Sequence, residues 1–192
     1  MAIWNPSKGD LPSIEIAKLA ESWRFYSVLD VGCGWGRNLV PFTNVAEILH
    51  GFDLDEQAVC AARMQLKESS AEVSVWQSDL LSVELDHSYD LVICYGVMHF
   101  LKRQQRMRAY SRLRSWVKPG GLLAVASFNA LVPIPADLQP LIAEPPEDSS
   151  ELYEQFSGWD TLFARSYVYE DEHEGGIKHT HSIDRLMVRA PA

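Results

Sequence analysis

The stretch Val28-Leu29-Asp30-Val31-Gly32-Cys33-Gly34-Trp35-Gly36 decides how this chain is read. A short apolar run ends in glycines at every second position, the pattern of a buried strand that turns through a tight loop towards a helix. Such a loop brings backbone N–H groups and close-approaching main chain up to a bound cofactor. The spacing is G-x-G-x-G, and Arg37 stands where the last glycine of the dinucleotide fingerprint G-x-G-x-x-G is expected. Asp30, at the strand end, places a carboxylate two residues before the first glycine. An anion there opposes a pyrophosphate and suits a cationic ligand, which disfavours NAD and favours a cofactor with an ammonium group.

Working outward, short apolar runs alternate with helical patterns. Strands are predicted at Ser27–Val31, Ile48–Asp53, Val73–Gln77, Tyr89–Tyr95 and Leu122–Phe128. Helices are predicted at Asn38–Val45, Glu56–Glu68 and Lys102–Val117, the last stopping at Lys118-Pro119-Gly120-Gly121 because proline cannot continue a helix. Apolar positions Val59, Ala62, Met64 and Leu66 are the expected buried face of the second helix. Strands this apolar, separated by helices, imply a parallel sheet covered on both faces. The fold class is α/β: a doubly wound, Rossmann-like, mostly parallel sheet with a C-terminal antiparallel hairpin. Residues 1–192 read as one domain with a cofactor-binding core at 27–128. Five prolines and an acidic stretch make 129–158 an insertion, lid or plain linker with a short helix near Glu151–Phe156. Strands at Arg165–Tyr169 and Ser182–Arg189 form the hairpin (165–189), with Gly175-Gly176 supporting its turn.

The 192 residues carry 17 Lys+Arg against 26 Asp+Glu, a formal charge of −9, with 47% hydrophobic residues. That composition is globular, and the negative balance lacks the basic footprint of nucleic-acid binding. Cys33, Cys60 and Cys94 form no CxxC pair, so neither a disulfide framework nor a structural zinc site is expected. There is no signal peptide pattern and no apolar run long enough to span a membrane. A cytoplasmic protein with a small-molecule partner, monomeric or homodimeric, is the expectation.

The landmarks together resemble the class I S-adenosylmethionine-dependent methyltransferases. The glycine loop resembles their motif I. Asp53, 21 residues after Gly32, stands where a carboxylate accepts from a ribose diol. Asp79 and Leu80 follow the third strand, where the family contacts the adenine amino group and ring. Tyr89–Cys94 and Val117–Leu122 resemble the fourth-strand motif and the turn before the fifth strand. The resemblance implies S-adenosylmethionine as cofactor, with contacts at Asp30, Gly32, Cys33, Gly34, Gly36 and Arg37 in the loop. It implies further contacts at Asp53, Leu54, Asp79, Leu80, Cys94 and Tyr95. Each carboxylate also has a bland reading as a cap or local pair; their joint occurrence at successive strand ends favours the cofactor.

Gly34-Trp35-Gly36-Arg37-Asn38 and the Glu- and His-bearing tail are similar to the tellurite-resistance and thiol methyltransferase branch. This implies direct in-line methyl transfer to a small acceptor, a thiol or chalcogen compound among them. Candidate catalytic residues are His99 and Tyr95 just past or within the fourth strand, and His179 and His181, which share a strand face. The tail cluster, with His173 and neighbouring acids, stays open between a metal site, a substrate-positioning histidine and solvated histidines; no metal is assigned. Met98, Phe100 and Trp4 are candidates for an apolar wall, and Cys94 is not expected to act as a nucleophile. Alternatives are a nucleic-acid or protein methyltransferase, using the basic residues of 102–114, and a non-catalytic S-adenosylmethionine-binding protein.

Overall fold

The computed structural model describes residues 11–136, 138–142, 144–173 and 177–192, with the backbone alone for 171–173 and 177. Trp4, Glu174, the Gly175-Gly176 turn and the His173 side chain lie outside the described residues. Seven strands form one sheet: β1 (Ser27–Val31), β2 (Ile48–Asp53), β3 (Glu72–Gln77), β4 (Tyr89–Tyr95), β5 (Val117–Asn129), β6 (Asp160–His173) and β7 (Ile177–Arg189). Their order is β3-β2-β1-β4-β5-β7-β6. The first five pair in parallel, and β7 runs antiparallel to both β5 and β6. The predicted Rossmann-like class and the antiparallel tail hairpin are both present.

The sheet is central because its inner strands are apolar on both faces. Every residue of β1 is buried, and β4 is buried throughout except at Asp90. Residues alternate between two core layers, Val28 joining one and Leu29 the other. Helices α1 (Ile14–Ser22) and α2 (Glu56–Gln65) cover the first face; α3 (Arg103–Trp116) and α4 (Ser150–Gln155) cover the second. Each fully buried Val, Leu or Ile contributes about 1.5–3 kcal/mol, so this double burial is the main stabilising term.

Four local features differ from the sequence reading. The helix expected at Asn38–Val45 is one 3-10 turn, Val40–Phe42, because Pro41 has no N–H to donate and locks the turn at its start. Helix α1 was not anticipated; it buries Ile16, Leu19 and Ala20, an i, i+3, i+4 stripe. Met64 is two-thirds exposed, and α2 instead packs through Ala58, Val59 and Ala62. Lys118-Pro119-Gly120-Gly121 belongs to β5, where Lys118 Nζ reaches the Asp90 carboxylate at 3.0 Å.

The basic helix is not a uniformly solvated surface. Arg106 is buried, with Nη2 donating to Glu151 Oε2 at 2.8 Å and further bonds to the carbonyls of Leu101 and Glu144. Arg112 lies over Trp116 and Arg114 over Phe156. Through Glu144 and Glu151, the Pro-rich excursion is bound to α3 on the second face of the sheet. No helix among the described residues is long and apolar enough to cross a membrane.

Candidate active site

A cleft of about 970 Å³ opens at the C-terminal ends of the parallel strands, where open α/β sheets bind ligands. Its walls come from two sources. One is the set of loops after β1 to β4; the other is the start of α1 together with β5, β6 and β7. None of its described lining residues comes from 129–158.

Backbone geometry builds the first wall. Gly32, Gly34 and Gly36 all have positive φ, at 66°, 54° and 83°, a region that penalises any side chain. A Cβ on Gly32 would lie 2.3 Å from Val97 Cγ2, so the loop also needs a bare main chain to fit beside β4. Asp53 Oδ2 accepts from the Gly34 N–H at 2.8 Å and Oδ1 from the Asp55 N–H at 3.0 Å. Each carboxylate oxygen keeps a second lone pair for a diol. Asp79 is exposed, with Oδ1 accepting from Leu81 N–H, and Leu80 is a buried apolar surface in the wall beside it.

Asp30 lies beneath this loop at 1% exposure, and its Oδ2 has no hydrogen-bond partner among the described residues. Burial pushes its carboxyl up to about 8; Arg37 opposes the rise and Asp53 adds to it. In the free protein at neutral pH it is therefore mostly protonated. A cationic group beside it would favour the ionised carboxylate. An orphaned acidic oxygen under a glycine loop fits a cofactor ammonium group, and the Asp53 lone pairs fit its ribose. The residues present thus suit S-adenosylmethionine.

Side chains build the second wall. Sheet alternation sets Tyr95, Ala126, Arg185 and Arg165 in one row across β4, β5, β7 and β6, with Phe128, Ile183 and Tyr167 in the next. Helix α1 closes over them. Its start is held by Ser13 N–H donating to Asn38 Oδ1 at 3.1 Å, and Glu15 pairs with Arg185. Asn38 thereby couples the glycine loop to the α1 side of the cleft.

His99 sits where the two walls meet, 2% exposed. Its Nδ1 accepts from the Phe128 N–H at 3.2 Å. Burial, with His181 and Arg106 adding to it, lowers its pKa to about 3. A neutral imidazole whose Nδ1 accepts must carry its proton on Nε2. Nε2 is buried without a hydrogen-bond partner among the described residues. Nε2 of His99 thus carries the N–H and leaves no lone pair there to accept a proton.

Residues 28–121 match the family described as a methyltransferase domain. These residues are a class I methyltransferase domain. The domain's cofactor is S-adenosylmethionine. A ubiquinone biosynthesis O-methyltransferase of Thiobacillus denitrificans is 31% identical over 140 residues, covering 66% of this chain and 57% of its own. The probable S-adenosyl-L-methionine-dependent methyltransferase TehB of Haemophilus influenzae is 24% identical over 137 residues, 70% of this chain and 46% of its own. The crystal structure of that TehB superposes with a TM-score of 0.77, covering 92% of this chain and 61% of its own at 17% identity. The N-methyltransferase NodS of Bradyrhizobium japonicum, solved with S-adenosyl-L-homocysteine, gives 0.68 at 16% identity, with 93% and 85% covered. The chain spans about half the length of the curated relatives it matches.

Within the methyltransferase domain and its tail, the cleft gathers Gly32, Gly34, Arg37, Asp53, Leu54, Asp79, Leu80 and Tyr95 of the expected cofactor residues. Asp30, Cys33, Gly36 and Cys94 are not among its lining residues, Asp30 being buried within β1. Cys33 and Cys94 are buried in the two core layers, where burial pushes both thiols far up, and Gly36 packs against Ala62 of α2. Phe100 lines the cleft as expected, but Met98 is fully buried in the core. Neither His179 nor His181 is among the described lining residues; His181 is buried and stacks on Phe128, with ring centroids 4.4 Å apart. No group of three or more His, Cys, Asp or Glu among the described residues is arranged to hold a metal. Missed were Glu15, Arg165, Tyr167, Tyr169, Ile183 and Arg185. The odd-numbered alternation along 165–169 and 183–185 is the signal that places them on one face.

Proposed function

We propose that this chain transfers the methyl group of S-adenosylmethionine to a small-molecule acceptor whose nucleophilic atom ionises without a protein base, a thiol above all. The observation that carries this reading is His99, held neutral as a donor at the junction of the two walls. Other candidate bases are engaged or unsuited. Glu15 is paired with Arg185, Asp53 accepts from two backbone amides, and burial pushes the Tyr95 phenol up. A thiol has an ordinary pKa of about 8.5, so a few per cent is thiolate at neutral pH and strongly nucleophilic. An alcohol, or an alkyl amine held as ammonium at neutral pH, lacks that advantage and needs its proton removed.

When bound, S-adenosylmethionine supplies a methyl group activated by the sulfonium charge. The chain's task is to align and exclude. The glycine loop and Asp53 hold the cofactor end, and Asp30, on ionising, neutralises an ammonium group. Tyr95, Val97, Phe100 and Phe128 surround the space beyond with apolar surface, which favours a reaction that disperses charge. Alignment of this kind can lower a barrier by up to about 7–11 kcal/mol. Arg106, Arg112 and Arg114 are committed within the fold, which weighs against α3 as a nucleic-acid surface.

The test is turnover by the purified chain with benzenethiol, phenol and benzylamine, reading S-adenosylhomocysteine release. Methylation of the thiol alone is the expected result. Phenol or benzylamine turning over as fast, or cofactor binding with no turnover of any acceptor, overturns the reading.

A further inference from the structure

Arg165 and Arg185 are direct cross-strand partners on β6 and β7, and both line the cleft. Like charges placed directly opposite each other destabilise a sheet unless something stands between them. The Tyr167 ring lies near both, 4.6 Å from the Arg165 guanidinium carbon and 5.5 Å from that of Arg185. A ring attracts a cation but does not cancel its charge. Glu15 supplies one carboxylate, and it bonds Arg185. Arg165 is exposed in the cleft and has no carboxylate partner among the described residues. Two cations and one anion leave this wall positive by one charge, in a chain whose total is −9.

From this arrangement we infer that the acceptor carries a carboxylate or a similar oxyanion, seated on Arg165 beside Arg185, on a flat apolar body lying along Tyr167 and Phe128. The guanidinium fork matches a carboxylate through two parallel hydrogen bonds. Rings from Tyr95, Phe100, Phe128, Tyr167 and Tyr169 give the same wall an aromatic surface. Anion and ring are therefore recognised together. The row that joins Tyr95 to Arg165 crosses β4, β5, β7 and β6. Strand spacing of about 4.8 Å puts its ends roughly 14 Å apart. An acceptor with its anion on Arg165 lies along this row with its nucleophile on the Tyr95 side. This deepens the small-acceptor reading above, and its test does not depend on methyl transfer.

The test is calorimetry of the full chain saturated with S-adenosylhomocysteine, titrated with 4-methylbenzoate and with the neutral match 4-methylbenzamide. Neither probe has a thiol, so failure of the nucleophile assignment does not affect the outcome. The acid is expected to bind at least about tenfold more tightly than the amide, the value of one charged hydrogen bond. Arg165→Gln is expected to remove that preference and Arg165→Lys to keep part of it, with S-adenosylhomocysteine binding reporting that each variant is folded. Raising the salt is expected to weaken the acid selectively. Equal binding of acid and amide to the native chain, or an unchanged preference in Arg165→Gln, overturns the inference.

Discussion

The two walls of the cleft are built by different means. The loop wall is mostly backbone: Gly32 and Gly34 at positive φ with the Asp53 carboxylate, delivered by consecutive strand–loop units, 28–36 and 48–55. The sheet wall is mostly side chains, brought from α1, β4, β5, β6 and β7 by sheet pairing. A backbone wall tolerates little change and serves one ligand. A side-chain wall on a pleated face can be rewritten residue by residue, which is how one fold accepts different acceptors.

If that contrast holds, substitutions in the first wall should disturb cofactor and fold together. Gly32→Ala is expected to have the largest effect. It forces a side chain into a left-handed conformation and against Val97, for a combined cost of about 2–5 kcal/mol. Thermal unfolding should drop and S-adenosylhomocysteine binding should be lost; a variant with native affinity breaks the comparison. Asp53→Ala removes the diol acceptors and a loop anchor, so affinity is expected to fall by about 1.5–3 kcal/mol, roughly ten- to a hundredfold by calorimetry.

Glu15→Ala sharpens the contrast from the other side. It frees Arg185 and loosens α1, and is expected to cost about 1–3 kcal/mol of stability, with less change in S-adenosylhomocysteine affinity than Asp53→Ala. Equal losses of affinity would mean that the walls are not separable. A pH slope follows from Asp30. The Asp30 carboxyl is raised from 3.8 to about 8 in the fold, so its contribution to stability is fully present below about 4 and is lost as pH rises through about 8. Asp30→Asn should flatten that decline in the free protein. Binding a cationic cofactor at pH 7 should release close to one proton from the native chain and less from Asp30→Asn. Titration in buffers of different ionisation enthalpy measures both.

The contrast also explains what the sequence made legible. Val28–Gly36, Asp53 and Asp79 stand in contiguous motifs at strand ends, because a backbone loop is encoded where it is used. The apolar runs of β1, β4 and β5 announced the sheet for the same local reason. Arg165 and Arg185 are twenty positions apart and become neighbours only through the β6–β7 register. Arg106 was not legible as a buried, paired charge because its partner, Glu151, lies 45 positions away in a segment with no periodicity. Pro41 was visible, but its power to cut a helix to one turn was outweighed by the Rossmann-like pattern around it. His99 was legible as a candidate and its tautomer was not, since the bond that sets it comes from the backbone of Phe128, 29 positions on.

The most direct test of the account is the pH–rate profile for methyl transfer to phenylmethanethiol, an alkyl thiol that ionises well above pH 6.5, by the native chain and by His99→Gln. The account predicts that the rising limb follows the thiol's own ionisation and keeps its position in the variant. A limb near pH 6.5, the ordinary range of a titrating histidine, that disappears in His99→Gln would contradict it, because His99 would then be the base.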